Sequence, residues 1–305
     1  MKKIIKIIKN PQRLLIYILN KNFFRFVPDE LYLKLKYRLC IGRKLNLDSP
    51  SSFNEKLQWL KLYNRCPQYS NLVDKYLVRD YVANIIGSCY LIPIIGTWCK
   101  FEDIDFNALP EQFVLKPNHT SGNVFICKDK NNMNYDSLNR EVKKWLKRKY
   151  YWIHREWPYK HIKPRIICEK YLADELNDDL KDYKFMCFNG KVKCCFVCSN
   201  RSSSTGLNID IYDTDWNKMS FERVGHPNSQ ELIERPINYK KMIELSEKLS
   251  EDIPFIRVDF YEVNEKIYFG ELTFFPGAGF EEFTPESYDY LLGSWIKLPQ
   301  KRFDG

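Results

Sequence analysis

The 305-residue chain is 44% hydrophobic and 29% charged, which is typical of a folded protein with material for two or three small domains. Residues 1–50 carry the whole net charge of +9, with 12 Lys and Arg against 3 Asp and Glu. The rest of the chain holds 36 residues of each sign and is neutral, so we do not expect a nucleic-acid partner. The excess charge predicts a local partner for the N-terminal segment, such as an anionic membrane face.

The N-terminal segment is predicted to be helical and basic. Its longest apolar run, residues 14–19, is far below the ~20 residues of a spanning helix, and no secretory signal is present, so we expect a cytoplasmic protein. Two interpretations remain open for this segment. It is either an amphipathic helix at the inner face of the membrane or a basic helix packed on its own domain.

The apolar spacing along the rest of the chain predicts a mixed α and β fold. Helical periodicity is found at residues 53–64, 74–82, 135–150 and 238–250. Strand-like runs are found at 89–98, 113–115, 124–127 and 165–172, and two hairpins are predicted across Asn189-Gly190 and across 263–265.

The hairpin at 113–127 has a polar tip. Lys116 ends its first strand, and His119, Thr120, Ser121 and Gly122 follow in the loop. Backbone N–H groups and a Lys can bind phosphate together, although the spacing is not that of a Walker loop. Alone, this loop is as consistent with an ordinary turn as with a phosphate site. The same holds for Glu169, which closes the strand at 165–172 and is either a ligand contact or a solvated strand end.

The chain contains 10 Cys, scattered over its length. Small disulfide-rich proteins are much shorter, so we expect reduced thiols. The cluster of Cys194, Cys195 and Cys198 lacks the paired spacing of a zinc site and lies in a strand-like run, in which Cys195 would face away from the other two.

The last hairpin carries a carboxylate on each strand, Asp259 and Glu271. The intervening turn can bring them opposite each other, and like charges that face each other in a sheet repel. A divalent cation would remove that repulsion, because Mg²⁺ prefers carboxylate, phosphate and water oxygens. Ion pairs would also remove it, and Arg257 is close in sequence. Both interpretations stay open.

The order of these features resembles the ATP-grasp superfamily and, more closely, its TupA-like branch, which is associated with teichuronopeptide and capsular polysaccharide synthesis. The matching segments lie between residue 53 and about residue 299. They are FNEKLQWLKLY, DKYLVRDYV, LPEQFVLKPNHTSG, REWPYKHIKPRIICEKYL, DYKFMCFNGK and RVDFYEVNEKIYFGELTFFPGAGF.

The resemblance implies an α+β ATP-grasp fold, with the nucleotide held between two α+β subdomains that have antiparallel sheets, plus a helical, basic N-terminal segment. It implies a helical N-terminal region with pre-ATP-grasp elements at 1–109. A small subdomain with the nucleotide-binding hairpin and hinge would follow at 110–205, and a large subdomain with the metal-binding strands at 206–305.

The resemblance also implies ATP and Mg²⁺ as cofactors and assigns roles to matching positions. Nucleotide-binding positions are Lys75, Lys116, His119, Thr120, Ser121, Gly122, Glu169, Tyr171, Leu172 and Lys184. Catalytic positions are Lys116 and Arg257, and metal-binding positions are Asp259, Glu271 and Thr273. The family pattern commonly has Asn where this chain has Thr273, and a hydroxyl is a poorer metal ligand.

The implied reaction is that of a carboxylate–amine ligase. The γ-phosphoryl group of ATP would move to a carboxylate, and an amine would then displace phosphate to form a C–N bond. The expected substrates are a sugar acid or an amino acid and an amine, joined during synthesis of a cell-surface polysaccharide. The alternatives are a glycosyltransferase that holds its metal with the DTD sequence at 213–215, which is also a favoured turn sequence, and a non-catalytic nucleotide- or polymer-binding protein.

Overall fold

A computed structural model describes residues 11–20, 22–172, 180–200 and 206–301 of the chain. Its α-helices are α1 (Pro11–Leu19), α2 (Asp29–Ile41), α3 (Phe53–Tyr63), α4 (Gln68–Val73), α5 (Val78–Ile85), α6 (Tyr135–Lys147), α7 (Tyr151–His154), α8 (Tyr239–Leu249) and α9 (Ser287–Trp295). Short 3-10 helices are Asn22–Phe26, Ser88–Tyr90, Phe101–Asp103, Lys130–Asn132, Trp157–Tyr159 and Pro276–Gly279.

The strands are β1 (Ile94–Trp98), β2 (Phe113–Pro117), β3 (Phe125–Cys127), β4 (Ile166–Lys170), β5 (Asp182–Phe188), β6 (Lys191–Ser199), β7 (Asn208–Tyr212), β8 (Glu222–Arg223), β9 (Phe255–Val263), β10 (Lys266–Thr273) and β11 (Phe283–Thr284). They form a four-stranded sheet in the order β1-β4-β2-β3 and a five-stranded sheet in the order β10-β9-β5-β6-β7, while β8 pairs with β11. All of these pairings are antiparallel, as the predicted α+β class requires.

Each large sheet has its own hydrophobic core. The smaller core lies between the four-stranded sheet and α6, which contributes Leu138, Val142 and Trp145. The larger core joins the five-stranded sheet to α8 and to the N-terminal helices, through residues such as Phe53 and Phe255. The two large sheets are therefore packed separately.

Local sequence explains the turns of both predicted hairpins. Asn189 and Gly190 both have positive φ angles (49° and 78°), which the turn between β5 and β6 requires. Asn264 and Glu265 also have positive φ (49° and 60°) and connect β9 to β10. Both hairpin predictions are confirmed, and they fix the register of the strands that carry the candidate site.

Two predicted helices are shorter than their apolar patterns. The helix predicted at 74–82 begins at Val78, because the Asp74 carboxylate accepts hydrogen bonds from the backbone N–H groups of Tyr76 and Leu77 (2.8 and 3.3 Å) and holds the chain in a turn. The helix predicted at 135–150 ends at Lys147, because Arg148 is extended (φ −72°, ψ 122°).

Several of the predictions made from the sequence stay predictions. Residues 1–10 lie outside the described part of the chain, so only residues 11–20 and 22–50 of the predicted basic, helical segment are described. The domain boundaries at 109/110 and 205/206 stay predictions. By pairing, β1 belongs to the four-stranded sheet, and β5 and β6 to the five-stranded sheet. No helix in the described residues is long and apolar enough to cross a membrane.

All ten Cys fall within the described residues, and all are free thiols. Cys194, Cys195 and Cys198 are all buried, so β6 is covered on both faces. Side chains that point to opposite faces of this strand are thus buried alike.

Candidate active site

Asp259 and Glu271 are direct partners in the register of β9 and β10, as predicted. A bulge at Gly270 shifts the register just before Glu271. A Cβ atom at Gly270 would lie 3.1 Å from the backbone oxygen of Asp259, so glycine suits this close approach. The next pair on the same face is Thr273 opposite Arg257. Four of the predicted site residues therefore form one patch.

Basic side chains surround the two carboxylates. Arg257 donates from Nε to Oδ1 of Asp259 (2.6 Å) and from Nη2 to Oδ2 of Asp259 and Oε1 of Glu271 (2.7 and 3.0 Å). Lys184 on β5 also contacts Oδ2 of Asp259, and Lys75 Nζ lies 3.4 Å from Oε2 of Glu271. The ion-pair interpretation thus describes the structure without ligands, and a metal would have to share these oxygens.

The surrounding charges keep the site ionised. Burial alone would raise the pKa of Glu271, but Lys75, Arg257, Lys184 and Lys116 hold it far below its ordinary value. Burial opposes the charge of Arg257, but Asp259 and Glu271 raise its pKa well above the ordinary value. Glu271 is therefore available as an anionic ligand at neutral pH.

The donor set suits Mg²⁺ in chemistry but is small. Asp259, Glu271 and Thr273 offer only oxygen atoms, and the Thr273 hydroxyl lies 3.2 Å from Oε1 of Glu271. In the described part of the chain, no group of three or more His, Cys, Asp or Glu is placed to hold a metal. Phosphate and water oxygens would have to complete the coordination.

Lys116 and Glu169 form a second ion pair on the four-stranded sheet. Lys116 Nζ lies 2.6 Å from Oε2 of Glu169, and Arg79 Nη1 lies 3.9 Å from Oε1 of the same carboxylate. Glu169 is 5% exposed, so it is not the solvated strand end that was the alternative. Tyr171 and Leu172 follow directly after β4 and are half-buried.

The loop at 118–123 is anchored at its base. The Asn118 side chain donates to Oδ2 of Asp74 (2.8 Å) and accepts from the backbone N–H of Arg165 (2.7 Å). Lys75 Nζ donates to the backbone oxygen of Thr120 (2.8 Å) and so links this loop to Glu271. This lysine is the direct connection between the two halves of the site.

The tip of the loop contains the remaining predicted residues. His119 is 4% exposed, and its Nδ1 lies 3.2 Å from Oδ1 of Asn118. Burial lowers the pKa of His119 to about 4, so the ring is neutral. Ser121 and Gly122 are exposed, and Gly122 has a φ of 76°.

Sequence reasoning missed the residues that hold the loop after Thr273. Gln58 and Lys61 on α3 donate to the backbone oxygen of Ala278 (3.1 and 2.7 Å), and Gln58 also reaches that of Gly279 (2.6 Å). Their signal was polarity on a core-facing helix, since Gln58 and Lys61 lie on the face that buries Leu57 and Leu60.

A cavity of ≈ 90 Å³ lies beside Arg257 and was also missed. Its polar lining is Lys184, Arg223, Arg257 and Glu281, and its other walls are Met186, Phe196, Cys198, Leu207, Ile209 and Pro276. Arg223 pairs with Glu281 (2.9 Å). The cavity thus combines positive charge with apolar walls.

The DTD sequence forms a turn. The Asp213 carboxylate accepts hydrogen bonds from the backbone N–H groups of Asp215 and Asn217 (2.9 and 2.8 Å) and from the Asn217 amide (2.9 Å). Its oxygens are occupied in shaping the chain, as the turn interpretation predicts.

Several solved structures are similar to this chain. The D-alanine–D-alanine ligase of Bacillus anthracis complexed with ATP is 19% identical, with a TM-score of 0.40 over 66% of this chain and 54% of that one. The L-amino acid ligase of Bacillus licheniformis is 11% identical, with a TM-score of 0.43 over 83% of this chain and 55% of that one. The chain thus spans little more than half the length of these ligases. No curated protein matches it.

The family comparison is specific. The model described as TupA-like ATPgrasp matches residues 55–297, which is most of the chain and includes every predicted site residue. The α+β fold with antiparallel sheets that the resemblance implies is the fold observed here. The chain is therefore a member of the TupA-like ATP-grasp family.

Proposed function

We propose that this protein is an ATP- and Mg²⁺-dependent carboxylate–amine ligase that works through an acyl-phosphate. The observation that carries the proposal is that Asp259 and Glu271 lie opposite each other in the sheet and contact three basic side chains, those of Arg257, Lys184 and Lys75. Lys75 also links this pair to the loop after β2. Ordered positive charge around two carboxylates is suited to phosphoryl transfer, which depends on positioning and charge stabilisation.

The nucleotide binds on the four-stranded sheet in this proposal, where Lys116 of β2 and Glu169 of β4 form an ion pair. Lys116 and Lys75 contact phosphate oxygens, and the loop residues His119, Thr120, Ser121 and Gly122 cover them. The positive charge of Lys75, which lies beside the backbone of Thr120, supports an anionic ligand at this loop. Lys184 adds charge from the five-stranded sheet.

The adenosine contacts follow β4. Glu169 accepts from the ribose, while the backbone groups of Tyr171 and Leu172 pair with the adenine edge. The burial of Glu169, together with its contacts to two basic side chains, supports a position inside the cleft.

Asp259 and Glu271, assisted by the hydroxyl of Thr273, would hold the metal. A bound Mg²⁺ would supply charge neutralisation between the phosphate oxygens. Arg257 then orients the transferred phosphoryl group or the acyl-phosphate, and the adjacent cavity receives the carboxylate substrate. The basic lining of that cavity supports an anionic occupant.

We also propose that the substrates are a sugar acid or amino acid and an amine used in a cell-surface polysaccharide. The support is the resemblance to the TupA-like family.

The first experiment is product analysis with purified protein, Mg²⁺, ATP and a pool of uronic acids and amino acids. ADP and phosphate should appear only with a carboxylate present. Release of a nucleoside diphosphate from a sugar nucleotide without ATP turnover would instead favour a glycosyltransferase.

Peripheral contact of this cytoplasmic protein with the inner membrane face is a further part of the proposal. Leu31 and Leu35 on α2 are exposed and share a face with Lys34 and Arg38. Exposed Leu15, Ile18 and Phe26 lie in and just after the adjacent α1. This mixed apolar and basic surface, which we call the α1–α2 face, suits an anionic bilayer.

The α1–α2 face predicts binding to vesicles that contain phosphatidylglycerol and weaker binding to pure phosphatidylcholine. The double change Leu31→Glu and Leu35→Glu should weaken sedimentation with anionic vesicles by about tenfold or more, because it removes apolar contact and adds repulsion. Leu232→Glu with Ile237→Glu, at two exposed positions elsewhere, is the matched control. Equal loss in both double variants would contradict a specific face.

A further inference from the structure

Three buried ionisable side chains lie in the region where residues 150–159 contact α2 and α3. They are Lys36, Lys61 and Glu156, which are 1%, 0% and 3% exposed. Lys61 bridges the backbone oxygens of His154 (3.1 Å) and Ala278 (2.7 Å). The segment that carries Glu156 is thereby tied to the loop that follows Thr273.

Among the described residues, both lysines hydrogen bond to uncharged groups and neither forms an ion pair. Besides the two backbone oxygens, Lys61 Nζ contacts Oε1 of Gln58 (2.9 Å). Lys36 Nζ contacts the backbone oxygen of Ile153 (2.5 Å), Oδ1 of Asn20 (2.6 Å) and Nδ1 of His154 (3.1 Å). Every one of these partners is uncharged or, for His154, held neutral because burial lowers its pKa.

Glu156 contrasts with these satisfied lysines. Its Oε1 is buried and has no hydrogen-bond partner, and within the described ranges no basic nitrogen lies within 4 Å of its carboxylate. An unpaired carboxylate in the interior costs several kcal/mol relative to a hydrogen-bonded one. A buried acceptor without a donor therefore points to a ligand that brings the donor.

Two tyrosines connect Glu156 to the candidate site. The Tyr159 backbone N–H donates to the backbone oxygen of Glu156 (3.1 Å), and its ring centroid lies 4.8 Å from that of Tyr150. The Arg148 guanidinium lies 5.8 Å from the Tyr150 ring centroid and donates to the side chain of Asn123 in the loop at 118–123 (3.1 Å). Burial raises the pKa of Tyr159, and the charges of Glu156 and Glu271 raise it further, so both carboxylates act on one hydroxyl.

The chemistry of the proposed reaction selects the ligand. The Glu156 carboxylate accepts hydrogen bonds, whereas two of the three reactants, ATP and the substrate carboxylate, are anions. The amine is the reactant that brings N–H donors and positive charge. We propose, on the basis of the ligase function above, that Glu156 binds the amino group of the second substrate and takes its proton.

In this step the amine nitrogen forms a bond to the acyl carbon of the acyl-phosphate. The bond from that carbon to the phosphate oxygen breaks, and phosphate leaves with the electron pair. Before that attack, the ammonium nitrogen gives one proton to Oε1 of Glu156, which frees its lone pair. The second proton, released as the amide forms, is taken up by the leaving phosphate. Burial raises the pKa of Glu156 to about 7, against the opposing effect of Lys61 and Lys36, which suits a base that works near neutral pH.

Hydroxylamine separates this step from acyl-phosphate formation, because it is a weakly basic, uncharged nucleophile near neutral pH. The carboxylate pool is supplied with ATP, Mg²⁺ and either hydroxylamine or a pool of amino acids and amino sugars. Hydroxamate and amide are measured in parallel for the wild type, Glu156→Gln and the exposed control Glu141→Gln. The ratio of amide to hydroxamate should fall about 100-fold or more in Glu156→Gln only.

The ratio also corrects for any loss of folded protein, because hydroxamate reports the active fraction in each sample. An unchanged ratio in Glu156→Gln, with or without an equal loss of both products, would overturn the proposal and assign Glu156 to charge balance with the lysines. Hydroxamate without amide from any amine in the wild type would also overturn it. Absence of hydroxamate in the wild type would instead refute the ligase function itself.

Discussion

Changing Asp259 or Glu271 to Ala is expected to lower Mg²⁺-dependent ATP turnover by about 10³-fold or more, because each supplies half of the protein's anionic ligands for the metal. The fold should survive. Without Asp259, Lys184 keeps its contact with Asp182 (3.2 Å) and Arg257 keeps Glu271 (3.0 Å), so neither buried cation loses every partner. Substrate-dependent ADP release over a Mg²⁺ titration, with circular dichroism as a folding check, measures both expectations.

The control for this pair is Asp215→Ala, an exposed carboxylate of the DTD turn. It should retain activity, since the turn is shaped by the Asp213 carboxylate and the Asp215 backbone. A glycosyltransferase that used this sequence for its metal would show the opposite pattern. Full activity in both Asp259→Ala and Glu271→Ala would remove the metal assignment.

Lys116→Ala is expected to lower carboxylate-dependent ADP release by about 10²- to 10³-fold, because it removes a charge that the proposal places on the nucleotide phosphates. The variant should fold, since Glu169 keeps Arg79 as a basic neighbour. Initial rates over a range of ATP concentrations would separate weaker ATP binding from slower chemistry.

Lys170→Ala is the matched control for Lys116→Ala, because Lys170 ends the adjacent strand β4 but is exposed. Its effect on ADP release should be small. Equal rates of ADP release in the two variants would show that the nucleotide does not lie over Lys116. The contacts proposed for Glu169, Tyr171 and Leu172 would then also be wrong.

Local patterns in the sequence predicted the parts of the site that lie on one hairpin. The two-residue period of a strand and the turn at 263–265 placed Asp259 opposite Glu271, and β9 and β10 have this register. The Asn189-Gly190 pair likewise predicted the hairpin of β5 and β6. These features depend on neighbours within about 15 residues, so periodicity and turn chemistry suffice.

Local patterns were weaker where the chain competes with itself for hydrogen bonds. The apolar spacing at 74–82 predicted a helix from Asp74, but one oxygen of the Asp74 carboxylate caps the turn and the other accepts a hydrogen bond from the Asn118 amide. The start of α5 is therefore set partly by a residue 44 positions away. The spacing of apolar residues carries no information about a hydrogen-bond partner so distant in the sequence.

Local sequence patterns predicted the α+β class and the hairpins, and the resemblance to a family assigned the residues of the candidate site. Only the folded chain shows that Lys75 joins the loop at 118–123 to Glu271. It also shows that Gln58 and Lys61 hold the loop after Thr273, and that Oε1 of Glu156 is buried without a hydrogen-bond donor among the described residues. These contacts join segments that lie far apart in the chain, and they affect stability strongly because they are buried. A linear pattern of residues encodes neither distance across the fold nor exclusion of water.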